Sequence, residues 1–102
     1  MKKKMYPLFG YGVNKKYYAT SCGSIISEDA VGKLKTLKSV PAAKKGPVVC
    51  IMKDGKMNAI QVSRLVYEAY FGEKLSTGDQ IRHRDGDIEN NKIDNLVKII
   101  VR

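Results

Sequence analysis

The only histidine of this 102-residue chain, His83, opens a polar stretch that reads His83-Arg84-Asp85-Gly86-Asp87, then Asn90-Asn91, then Asn95-Leu96. Imidazole is the side chain best suited to take a proton from water near neutral pH, so a positioned His83 is a candidate general base. Asp85 and Asp87 are the carboxylates nearest to it, and Asp85-Gly86 is ordinary turn chemistry. A short strand delivers His83, the Asp-Gly turn and an asparagine-rich loop follow, and Leu96 to Val101 returns as a second strand. One histidine and one asparagine, Asn95, are thereby brought onto neighbouring β elements. Period-two alternation puts His83 on the same strand face as Ile81, so a core histidine stands beside the catalytic reading.

The remaining chemistry is bounded by composition. Cys22 and Cys50 have no Cys-x-x-Cys spacing, and with one histidine they cannot complete a four-ligand zinc site. They read as two half-buried free thiols. Charge says more. The net charge is +9, and residues 1–60 carry all of it, with twelve lysines against Glu28, Asp29 and Asp54, while residues 61–102 hold seven basic and seven acidic residues. Such an asymmetry is the footprint of a segment lying on a polyanion, where each neutralised phosphate releases counterions. A lysine-rich surface that keeps the protein soluble has the same composition. The longest apolar run, Val48 to Met52, is far short of the roughly 20 residues of a membrane span. Lys2, Lys3 and Lys4 are not followed by the apolar segment of a secretory signal, so the expected setting is the cytoplasm in which the chain is made.

The elements that must position the His83 loop come next. Tyr17 to Thr20 and Ser24 to Ile26 are β-prone and flank a Ser21-Cys22-Gly23 turn, which predicts a first hairpin. Residues 31–46 read equally as helix, through Leu34 and Leu37, or as exposed strand, and Pro41 to Pro47 as a loop. Val48 to Met52 and Met57 to Val62 flank Lys53-Asp54-Gly55-Lys56, and Asp-Gly favours a type I′ turn, which predicts a second hairpin. Val62, Leu65, Val66, Ala69 and Tyr70 fall at i, i+3, i+4, i+7 and i+8, one stripe of a helix over about 62–71, with Gly72 placed to end it.

Residues 62–96 resemble the HNH family, in particular the small phage and intron-encoded homing endonucleases. The helix Val62-Ser63-Arg64-Leu65-Val66-Tyr67-Glu68-Ala69-Tyr70-Phe71 is similar to that family's Val-x-Arg-Leu-Val-x-Glu-Ala-Phe, and His83 to Leu96 follows its His-x-Asp-Gly, Asn-Asn and Asn-Leu pattern. Over the first 45 residues the likeness is looser, with Tyr17, Ser21 and Gly23-Ser24 in matching places. The resemblance implies that His83 is the general base, that Asn95 fixes the imidazole, and that a divalent metal such as Mg2+ stabilises the phosphate and the leaving 3′ oxygen. It also implies one metal ligand just before the histidine, where this chain has Arg82, and another after Asn95, at a position past Arg102. The expected cutting site is therefore incomplete, with Asp85 and Asp87 the substitute carboxylates for a metal, although Asp85-Gly86 is better explained as turn chemistry.

The fold class that follows is α+β: a small antiparallel sheet and hairpins with one amphipathic helix and a truncated ββα-metal motif lacking its closing helix. A basic module over 1–46 and an HNH-like region over 47–102 form one compact domain. The expected function is binding of double-stranded DNA with cleavage weak or lost. Lys33, Lys35, Lys38, Lys44, Lys45, Lys53 and Lys56 would lie along the backbone, the 48–62 hairpin would enter the major groove, and Arg64, Arg82 and Arg84 would contact phosphates. Two alternatives stand beside it: an active endonuclease that nicks DNA with a metal, and a phage-type regulator that uses its charge to bind an acidic host protein.

Overall fold

The computed structural model describes residues 5–8, 11, 16–41, 46–53, 55–76 and 78–100. Four strands, β1 (Met5–Leu8), β2 (Lys16–Thr20), β3 (Ile25–Glu28) and β4 (Leu34–Thr36), form an antiparallel sheet in chain order. The hairpin β5 (Val48–Lys53) and β6 (Lys56–Gln61) leads directly into α1 (Val62–Phe71), and β7 (Asp79–His83) pairs antiparallel with β8 (Leu96–Ile100). This is the expected α+β class, with antiparallel sheets and, among the described residues, a single α-helix. Residues 34–36, left between helix and strand by their sequence, form the edge strand β4, with all three side chains exposed.

Alternation of side chains decides which face of each strand is buried. Tyr17 and Ala19 on β2, Ile25 on β3, and Val49 and Ile51 on β5 point inward and meet the α1 stripe of Val62, Leu65, Val66 and Ala69, with Leu8, Tyr11 and Leu96 completing the cluster. Tyr17 also joins two sheets, since its hydroxyl oxygen accepts the Met52 N–H at 3.2 Å. Gly72, at φ 64°, ends α1 in the left-handed conformation and returns its N–H to the Glu68 carbonyl. Both cysteines are free and exposed, contrary to the half-buried expectation: Cys22 lies in the β2–β3 turn, and Cys50 lies between the inward Val49 and Ile51 and so faces out.

Behind α1, Glu68 is buried and gathers three segments. One carboxylate oxygen accepts the Tyr11 hydroxyl at 2.6 Å and the other the Leu75 N–H at 2.8 Å. Burial and the adjoining Glu68 carboxylate push the Tyr11 hydroxyl well above the ordinary tyrosine range. Arg64, one turn earlier, donates to the carbonyls of Asp79 (2.6 Å) and Ser76 (2.8 Å). Arg64 thus clamps the segment that launches β7, an internal role for a guanidinium that the sequence assigns to phosphate. Glu68 and Arg64 explain two polar positions of the helix that the apolar stripe leaves without a reason.

Candidate functional site: the His83 cleft

His83 ends β7 opposite Leu96 of β8, and between them the chain makes one long polar loop. Asp85 organises that loop. Its carboxylate accepts the Asp87 N–H at 2.8 Å, the Asn90 side-chain amide at 2.8 Å and the Asn95 side-chain amide at 3.0 Å. These donors, the Asn90 amide foremost, then the Asp87 N–H and the Asn95 amide, hold the carboxyl at about 2, well below the usual carboxylate value. Asp87 in turn accepts the Glu89 N–H at 3.0 Å. Both aspartates are therefore turn-forming groups.

The asparagines divide the work differently from the expectation. Asn91, buried at 5% exposure, places its Oδ1 at 2.7 Å from His83 Nε2. An amide oxygen only accepts, so this contact is a hydrogen bond when Nε2 carries the proton, and in that neutral tautomer Nδ1 keeps its lone pair and can act as a base. Asn95 makes its hydrogen bonds elsewhere: its side chain accepts the Asp85 N–H at 3.1 Å and donates to Asp85 and to the Asn90 carbonyl, while its backbone carbonyl accepts the Arg84 N–H. Asn95 sits in a 3₁₀ turn, Ile93–Asn95, that aims its amide into the loop, so the residue contacting the imidazole is Asn91. Its nearness to His83 was visible only as an unassigned Asn-Asn pair.

Two glycines from the first half of the chain brace this loop. Gly23, at φ 93°, turns β2 into β3, and a Cβ there would lie 2.8 Å from the Asn91 carbonyl oxygen. Beside it, the Ile93 N–H donates to the Ser21 carbonyl at 3.1 Å. Gly46, at φ 81°, makes the same close approach, 2.8 Å, to the Ile88 carbonyl. The loop that carries Asn91 therefore rests against two glycines far away in sequence.

What the site presents to solvent is a cleft of about 260 Å³ lined by Gln80, Ile81, Arg82, His83, Gly86, Ile88 and Ile99. Half-buried His83 shares it with Ile81, so the ring is neither a sealed core residue nor a free one. Arg82 and Arg84 are exposed and make no ion pair among the described residues. Lys33, Lys35, Lys38 and Lys56 are exposed and Lys53 half-buried, whereas Lys44 and Lys45 lie outside the described residues. Asp54 of the second hairpin's turn lies outside them too.

The helix α1 thus leads into a β–loop–β finger that carries one oriented histidine. Residues 61–99 match the HNH endonuclease family. A solved structure described as "DNA binding and cleavage by the HNH homing endonuclease I-HmuI" aligns with a TM-score of 0.68 and 32% identity, over 98% of this chain and 53% of that one. Residues 61–99 carry the HNH endonuclease region, and the chain as a whole spans about half the length of that solved relative. No curated protein matches.

HNH endonucleases commonly use a divalent metal, and the described residues around His83 do not assemble ligands for one. Among the described residues no three His, Cys, Asp or Glu side chains gather to hold an ion. The residue preceding His83 is a cation, and the Asp85 carboxylate already accepts three N–H groups. No helix among the described residues is long and apolar enough to cross a membrane.

Proposed function

We propose that this chain binds double-stranded DNA in the manner of an HNH homing endonuclease, with metal-dependent cleavage weak or lost. The observation that carries the reading is the placement of the lysines. Lys33 and Lys35 flank and occupy the exposed edge strand β4, Lys38 follows it, and Lys53 and Lys56 face each other directly across the β5–β6 hairpin. Like charges opposite one another in a β ladder destabilise it, and a phosphate between them removes that cost. None of the five is in an ion pair among the described residues. The hairpin, with β6 exposed from Lys56 to Ala59, is a two-stranded ribbon of the kind the major groove accepts. The solved relative's description names DNA binding as its subject.

The test is the salt dependence of duplex binding. Five neutralised phosphates give a slope of about −4.5 in log affinity against log salt, so raising salt from about 50 to 200 mM weakens binding roughly 500-fold. Affinity that is flat over that range removes the phosphate-contact model.

A second reading, an endonuclease that nicks DNA, is favoured by one observation: the Asn91 bond leaves His83 Nδ1 as the accepting nitrogen of the neutral ring. It requires a metal-dependent nicking rate that His83→Ala abolishes. A rate unchanged in that variant rejects His83 as the base.

A further inference from the structure

The cleft at the end of β7 has the wrong charge for a metal and the right one for an anion. Its polar lining is Gln80, Arg82 and His83, set around the apolar side chains of Ile81, Ile88 and Ile99. A hard divalent cation is held by several oxygen ligands, usually with carboxylate charge among them. Here the nearby carboxylates face their own loop. Asp85 accepts N–H groups from Asp87, Asn90 and Asn95, and Asp87 accepts one from Glu89. Arg82, by contrast, is exposed and in no ion pair among the described residues, with the equally exposed Arg84 two positions on. A guanidinium repels a divalent cation, yet its planar fork matches two oxygens of a phosphate with two parallel charge-assisted hydrogen bonds.

We propose that the His83 cleft binds a phosphate oxyanion directly on Arg82, without a divalent cation. The proposal rests on the DNA-binding reading for the source of that phosphate, a backbone phosphodiester; free inorganic phosphate offers the same chemistry. Arg82 supplies the positive charge, and His83, its ring held by Asn91, lines the same cleft. Binding at the cleft is then insensitive to chelators, and removal of the guanidinium, not of metal, abolishes it.

Backbone and imidazole resonances of the full chain decide the matter with two probes used separately, Mn2+ alone and inorganic phosphate in EDTA. Phosphate is expected to shift Arg82, His83 and Gly86 saturably, with the shifts lost in Arg82→Ala and partly kept in Arg82→Lys, while Mn2+ leaves His83 unbroadened. Stoichiometric broadening of His83 by Mn2+, no phosphate shift in the parent chain, or equal shifts in Arg82→Ala would each overturn the proposal. Because Arg82 is exposed, its variants should keep the parent spectrum elsewhere, which the same data report. Gel shifts of a short duplex in EDTA separate the two levels of the account. About tenfold weaker binding in Arg82→Ala supports a phosphodiester at this site. DNA binding unchanged by Arg82→Ala would sink this proposal and leave the DNA-binding reading standing, and no binding by the parent chain would sink that reading itself.

Discussion

Replacing Gly23 by alanine places a methyl group 2.8 Å from the Asn91 carbonyl oxygen and 2.9 Å from its carbon, on a backbone at φ 93°. Two costs follow, and the structure supplies a control that separates them. Gly55, at φ 77°, has nothing within 4 Å of a Cβ, so Gly55→Ala carries the backbone cost alone. That cost is about 1–2 kcal/mol, or a Tm lower by roughly 4–16 °C for a chain of this size. Gly23→Ala adds displacement of the Asn91 backbone, which weakens both the Ile93-to-Ser21 hydrogen bond and the 2.7 Å contact of Asn91 with His83. Each is worth about 0.5–1.5 kcal/mol, so Gly23→Ala should melt at least about 4 °C below Gly55→Ala. Calorimetry of the two variants, with NMR of the His83 ring, makes the comparison. The ring signals should move in Gly23→Ala and stay in place in Gly55→Ala. Equal melting temperatures, or an unmoved ring in Gly23→Ala, would refute the claim that the first hairpin's turn supports the site.

Two further outcomes are expected. Arg64→Ala loses two charge-assisted bonds to backbone carbonyls and should destabilise by about 2 kcal/mol in thermal melts, while duplex affinity measured well below the midpoint changes by less than about threefold. A drop in affinity at unchanged stability would return Arg64 to the DNA-contacting set. For Asp85, the folded carboxyl sits at about 2 against an ordinary value of about 3.9, so its contribution to the loop is complete above about pH 4 and lost as pH falls through about 2. The Asp87 and Asn90 amide signals should titrate with a midpoint near the lower value in NMR, and a midpoint at the ordinary value would mean the three donors do not hold the charge.

The parts of this fold that were legible in the sequence are those governed by local rules. The apolar stripe from Val62 to Ala69 and Gly72 predict α1, and alternating residues around Asp54-Gly55 predict the β5–β6 hairpin. The strand pair around the His83 loop followed from its turn residues. What was not legible depends on contacts between distant segments. Nothing about Gly23 or Gly46 announces that each lies against a carbonyl of the 85–92 loop. Arg64 looks like any exposed helical cation until its bonds to the Ser76 and Asp79 carbonyls are seen. Asn91 and Asn95 are alike in type, and which of them reaches His83 is set by the 3₁₀ turn that directs Asn95 into the loop. Arg82, in contrast, was already conspicuous as a cation in the place of a ligand, and the structure adds that nearby carboxylates do not neutralise it.

The most direct test is incubation of the purified chain with supercoiled plasmid in EDTA, in Mg2+ and in Mn2+, with one gel scored for retardation and for nicking. The account predicts retardation of the same extent in all three conditions and at most a trace of nicked circle. Efficient nicking that requires a metal and disappears in His83→Ala, or absence of retardation in every condition, would contradict it.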